Sequence, residues 1–197
     1  MVWFTLHLNG QSNYDRQDSL RGGITPERAW WDVSYYHLAI EVKPDTREII
    51  GSNRVYYQVL GSHDVLQIDL QAPLKITKVL QDGQSLDIHS EGNAHFITLI
   101  KPQGVGNMES IQIFYTGKPQ TAKRPPWDGG VTWQQDAKGM DFIATSCQGL
   151  GASVWWPNKD HMYDEVDSML MSIEVPQALV DVSNGSLRNI EQNDQKG

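Results

Sequence analysis

One cysteine in 197 residues is the sharpest scarcity in the sequence. It excludes an internal disulfide framework and any zinc knuckle built on several thiolates. Basic residues are few and scattered: 16 Lys and Arg stand against 24 Asp and Glu, and Lys123-Arg124 is the longest basic run. A net charge of −8 without a basic cluster argues against nucleic acid as a partner, because phosphate binding rests on grouped Lys and Arg. No apolar run nears the roughly 20 residues of a membrane span. The chain holds no His-Glu-x-x-His, so a zincin site is absent from it, and no Gly-x-Ser-x-Gly supports a serine triad. A helical apolar stripe is missing too.

What the chain does have is alternation. Apolar residues make up 39%, with seven Trp and seven Tyr, which is ample for a packed core in one large all-β domain or two small ones. Met1 to Leu8 is apolar but has neither a basic n-region nor a cleavage site, which leaves a remnant of a leader, an added segment or an edge strand. Periplasmic, extracellular and cytoplasmic locations all stay open. Residues 1–31 read as an arm on the domain, anchored by Trp30 and Trp31, with a helical turn opened by Thr25-Pro26.

From Val33 the period is two. Tyr36, Leu38, Ile40 and Val42 share one face, and after the Pro44-Asp45-Thr46 turn a second strand runs from Ile49 to Leu60. Further strands are predicted around Leu66–Leu70, Leu74–Leu80, Leu86–Ile88, His95–Leu99 and Ile111–Tyr115. Gly117 to Gly139 reads as a long irregular loop, Phe142–Cys147 as a central strand and Met169–Val175 as another strand. Val180–Ser183 begins one more, with Asn184-Gly185 a type I′ hairpin signal. The predicted fold is all-β, an antiparallel sandwich or saddle-shaped pair of curved sheets over residues 32–185. Residues 186–197 read as the start of a following region, cut near a domain boundary.

Candidate chemistry concentrates in Thr145-Ser-Cys-Gln-Gly-Leu-Gly-Ala-Ser-Val-Trp-Trp-Pro-Asn-Lys-Asp160. Gly149 and Gly151 permit backbone angles that other residues resist. Gln148 follows a strand directly, and its amide can donate to and accept from a ligand; a plain turn amide fits the same residues. Cys147 reads as a buried structural thiol. Asp160, His161, Asp164 and Glu165 have metal-ligand chemistry but no recognised spacing, so a solvated acidic loop stands beside a metal site. The tryptophans serve either as core and arm anchors or as a platform for sugars.

Taken together, the 145–160 stretch, Thr25-Pro-Glu-Arg-Ala-Trp-Trp-Asp-Val33, the Pro125-Pro-Trp-Asp-Gly-Gly130 loop and Val175-Pro176 resemble the N-terminal domain of the gluzincin zinc aminopeptidases. This is the aminopeptidase N and leukotriene hydrolase type, in a bacterial-type branch. The resemblance covers roughly residues 20–185. It implies a β domain that caps a downstream catalytic domain, its intramolecular partner. Zinc is expected in that absent domain, with no cofactor and no catalytic residue in this chain. The position matching the family's contact to the peptide substrate's free α-amino group is Gln148, with Gly149 allowing close approach. Many relatives carry Glu there, and the motif's first residue is Ser146 here in place of Gln. The alternative is a self-contained β-sandwich module that binds a ligand or glycan.

Overall fold

The computed structural model describes residues 14–192. The reading of Met1–Leu8 lies outside them. Two short helices, α1 (Arg16–Gly22) and α2 (Pro26–Ala29), precede eleven strands. In chain order these are β1 (Trp31–Lys43), β2 (Glu48–Val59), β3 (Val65–Asp69), β4 (Lys75–Gln81), β5 (Gln84–Ser85) and β6 (Asp87–Glu91). They continue as β7 (Ala94–Thr98), β8 (Met108–Gly117), β9 (Gly130–Gln135), β10 (Asp141–Ser146) and β11 (Ser168–Glu174).

The strands form a six-stranded sheet in the order β11-β1-β2-β8-β4-β5, a three-stranded sheet β3-β7-β6 and a two-stranded ribbon β10-β9. As the alternation predicts, the fold is all-β. The core draws Val55, Tyr57, Ile111 and Ile113 from the large sheet and Leu66, Ile68 and Ile97 from the smaller one. The hairpin of β1 and β2 turns at Pro44–Arg47, where Arg47 takes a φ of 56° and its N–H donates to Pro44 O at 3.1 Å.

β1 carries a bulge between Val33 and Tyr35. An inserted residue flips the side-chain phase. Trp31 and Val33 are therefore buried in one phase, and Tyr36, Leu38 and Ile40 in the other. β11 pairs with β1 in parallel, bringing Ser168 opposite Tyr35 and Glu174 opposite Glu41.

Three expectations need correction. The 117–139 stretch is not irregular throughout, because its second half is β9, paired with β10 from Gln135↔Asp141 to Gly130↔Ser146. Nor is β10 central. It pairs with β9 alone, and Phe142 and Thr145 are exposed. Finally, Val180–Ser183 forms no strand among the described residues, and Val180 and Val182 are exposed. Alternation there meets no partner strand, and a strand needs a neighbour to satisfy its N–H and C=O groups.

The segment before β1 is fastened by polar contacts as well as by Trp30 and Trp31. Arg16 pairs with Glu91, and Gln67 Nε2 donates to Leu20 O at 3.0 Å. Trp30 Nε1 donates to Val65 O at 2.6 Å and Trp31 Nε1 to Glu27 O at 2.8 Å. Thr25 precedes Pro26 as expected, but its hydroxyl donates to Gln67 Oε1 at 2.8 Å and caps no helical N–H.

The strongest fastening is buried. Arg28 donates to Asp69 Oδ2 at 2.5 Å and to Gly23 O at 2.9 Å, with its side chain 1% exposed. Burial pushes the Asp69 carboxyl up, while Arg28, Gln67 and the Asp160 N–H pull the other way. Asp69→Asn removes one charge of the pair and strands the guanidinium in the core. It is expected to cost about 3–5 kcal/mol in chemical denaturation; a change under about 1 kcal/mol contradicts the assignment.

His95 on β7 is also buried. Its Nε2 lies 3.1 Å from Leu70 O, so the neutral ring carries its proton there, and Nδ1 accepts from Ser90 Oγ at 2.8 Å. Burial holds its pKa below the usual imidazole value of 6.5. The unfolded chain therefore takes up this proton first, and stability present above pH 6.5 is lost as the pH falls below it. Melting temperatures between pH 7 and 5 are expected to fall less steeply in His95→Gln than in the parent.

Candidate functional site

β10 delivers the chain to Cys147, and a tight turn follows. Leu150 N and Gly151 N donate to Cys147 O at 3.2 and 2.9 Å. Gly149 has a φ of 71° and Gly151 of 78°, both in the left-handed region where a Cβ is penalised. Gln148 and Gly149, the predicted site residues, sit at the exposed crest of this turn.

The turn is held from several sides. Gln71 Nε2 donates to Leu150 O at 2.7 Å and lies 3.1 Å from Ser153 Oγ, and Gln71 N donates to Ser153 O at 2.9 Å. Arg21, at the end of α1, donates to Gly149 O. Asp160 packs its carboxylate against Gly151 and accepts from Ser153 N at 3.0 Å. That bond secures a single 3-10 turn at Ala152–Val154.

Behind the turn, residues 155–160 are tied to the body. Trp156 is buried edge-on to Tyr36, with ring centroids 5.0 Å apart, and Trp155 meets Trp156 at 6.1 Å. Asn53 Nδ2 donates to Pro157 O at 2.9 Å. Asn158 and Asp69 exchange backbone bonds at 2.8 and 3.1 Å. Lys159 is buried, with its ammonium on Trp31 O and the Asp164 carboxylate and 4.1 Å from the centre of the Trp31 ring.

Three of the four candidates in the acidic loop are committed to structure. Asp160 braces Gly151, and Asp164 pairs with Lys159 and accepts from Val33 N at 3.2 Å. His161 Nε2 faces Gly22 O at 3.3 Å and its ring stacks on Tyr163, while Glu165 is exposed. Among the described residues no three or more His, Cys, Asp or Glu are grouped to hold a metal ion. Cys147 corrects its expectation: the residue is exposed, not buried. Partial desolvation and the Asp160 charge nevertheless push its thiol pKa up against a bond from Trp155 that lowers it, and the net rise opposes the nucleophilic thiolate.

One residue beside the turn escaped the site prediction. Trp127 is 79% exposed and lines, with Gln148, Gln120, Lys123 and Asp128, an open depression of about 480 Å³. The Pro-Pro-Trp-Asp-Gly-Gly run carried a signal for it, but sequence does not show that its loop lands beside Gln148.

The two glycines make different demands. An added Cβ at Gly151 meets the Asp160 carboxylate at 2.1 Å, whereas at Gly149 nothing lies within 4 Å. Gly149→Ala is expected to cost about 1–2 kcal/mol from the backbone alone. Gly151→Ala should cost more, about 2–4 kcal/mol, since the clash adds to the strain. Equal shifts in urea midpoint contradict this.

No family model and no curated protein matches the sequence. The fold does match solved structures. A two-domain M1 zinc metallopeptidase variant bound to L-arginine superposes with a TM-score of 0.68 at 20% identity, covering 85% of this chain and 37% of that one. A variant of the M1 zinc metallopeptidase from Deinococcus radiodurans, bound to a Tyr-Ser-Ala substrate, also gives 0.68, at 18% identity over 85% of this chain and 38% of that one. Native leukotriene A4 hydrolase from Saccharomyces cerevisiae gives 0.61 at 20% identity, over 75% and 24%. The chain thus has the fold of a part of the M1 zinc metallopeptidases and spans little more than a third of the length of the first two.

Proposed function

We propose that this chain is the N-terminal, non-catalytic β domain of a zinc-dependent aminopeptidase. In this reading it caps the active site of a catalytic domain downstream, and Gln148 recognises the α-amino group of the peptide substrate. The observation that carries the reading is the setting of Gln148. Its amide stands exposed on a turn fastened by Gln71 and Arg21, next to an open depression, on a fold shared with M1 metallopeptidases. Gly149 carries no side chain and has open space where one would stand, which suits close approach of a substrate backbone. The L-arginine and Tyr-Ser-Ala in two of the matched structures support an amino acid or a peptide as the ligand. The expected zinc and its general base belong to the downstream domain, so this chain's own part is to bind and orient.

A second reading, a stand-alone glycan-binding module, draws on the exposed Trp127. Aromatic faces of that kind bind sugars as well as peptides. A reading frame with no metal-binding domain, together with glycan binding lost in Trp127→Ala, favours it.

The test uses the full-length protein and aminoacyl anilides. Gln148→Ala is expected to raise KM about ten- to hundredfold, the worth of one hydrogen bond to a charged group, with kcat changed much less. Gln148→Glu is expected to bind at least as well as the parent, because a carboxylate holds an ammonium more tightly than an amide. An unchanged KM in Gln148→Ala sinks the role of this residue. A full-length protein that releases no amino acid sinks the aminopeptidase reading.

A further inference from the structure

Two loops meet beside Gln148. Leu150 occupies the space over Gly129, where an added Cβ stands 2.7 Å from Leu150 Cβ. The turn at 147–151 and the loop at 118–129 are therefore in direct contact, and both line the same depression. A large aromatic left 79% exposed there forgoes burial of an indole, among the most apolar surfaces a chain has.

The loop that carries it is not slack. Trp127 N donates to Arg124 O at 2.9 Å, and the Asp128 carboxylate accepts from Lys123 N at 2.6 Å and Arg124 N at 2.8 Å. Gln120 Nε2 donates to Gly129 O at 2.8 Å. At Gly130, with a φ of 146°, an added Cβ stands 2.5 Å from Ala122 N, so the start of β9 runs hard against the segment that enters the loop. Backbone on both sides of Trp127 is thus fixed, and its ring is kept at the depression and away from the core.

Building on the aminopeptidase reading, we infer that Trp127 is a specificity-determining residue for the side chain of the substrate's N-terminal residue. The α-amino group and that side chain leave the same carbon. A substrate whose amine rests on Gln148 therefore projects its first side chain within the depression that Gln148 and Trp127 share. The indole face is flat, apolar and uncharged, so it favours aromatic and large aliphatic side chains over alanine. The amide reads the feature common to all substrates, and the indole reads the one that differs.

The experiment compares kcat/KM for phenylalanyl and alanyl anilides in the full-length protein and in Trp127→Ala, Trp127→Phe and Gln148→Ala. Trp127→Ala is expected to lower the phenylalanyl-to-alanyl ratio roughly tenfold. Trp127→Phe keeps an aromatic face and restores most of the ratio, which separates recognition from a folding defect. Gln148→Ala lowers both substrates together and leaves the ratio in place. An unchanged ratio in Trp127→Ala, including uniform loss on both substrates, overturns the inference and leaves the aminopeptidase reading standing. Release of neither amino acid by the parent protein overturns both.

Discussion

The buried Asp69 carboxylate is the constraint on which the described architecture turns. It accepts from Arg28 on α2, from Gln67 at 3.0 Å and from the Asp160 backbone at 3.1 Å, while its own backbone pairs with Asn158. One residue at the end of β3 thus fixes the segment before β1, the small sheet and the strap behind the candidate turn. A charge taken out of water survives only with full compensation. The donors must all arrive together, so this contact specifies one arrangement of three distant stretches.

A second polar node acts on the same end of the strap, at Lys159 between Asn158 and Asp160. Lys159 places its ammonium on Trp31 O, the Asp164 carboxylate and the Trp31 ring, and its N–H on Tyr36 Oη at 3.1 Å. Desolvation lowers its pKa while Asp164 raises it. Pro157 and Asn158, just before Lys159, are both buried. The sixteen-residue stretch that looked special in sequence has two physical parts. Residues 155–160 are anchorage. Residues 147–151 are the part left facing outward.

Much of the fold was legible because period-two alternation reports burial directly: Tyr36, Leu38 and Ile40 are buried as their spacing implies. Pairing was not legible. Alternation in Ser168–Glu174 says that a strand exists, yet nothing local tells that it lies parallel to β1, since a parallel partner is chosen by tertiary packing. In the β9–β10 ribbon the second strand was legible, and the first strand and their pairing were not. Its strands are polar and exposed at one end, and its turn is shaped by Asp136, whose carboxylate accepts from Lys138 N and Met140 N at 2.7 and 2.9 Å. Around Gln148, the glycines announced a strained turn, and both have positive φ. Trp127 and Cys147 were harder, because exposure depends on what a neighbouring loop covers. Cys147 reads as buried by residue type alone, but it closes an edge ribbon in which little lies above it.

On the aminopeptidase reading proposed above, a glutamine at the amine site changes what the surrounding structure must supply. A carboxylate attracts an ammonium over several ångströms and tolerates loose placement. A neutral amide offers only the dipole of its oxygen, which counts at contact distance and in the right direction. The net charge of −8 can draw a cation toward the protein, but that field is diffuse and screened by salt beyond about 8–10 Å. Discrimination therefore falls to geometry. That is what the bonds from Gln71 and Arg21 and the close packing of Asp160 on Gly151 provide, each acting on backbone next to Gln148 and none on its side chain. On that reading the held backbone fixes where the amide stands, and contact with the ligand fixes its direction.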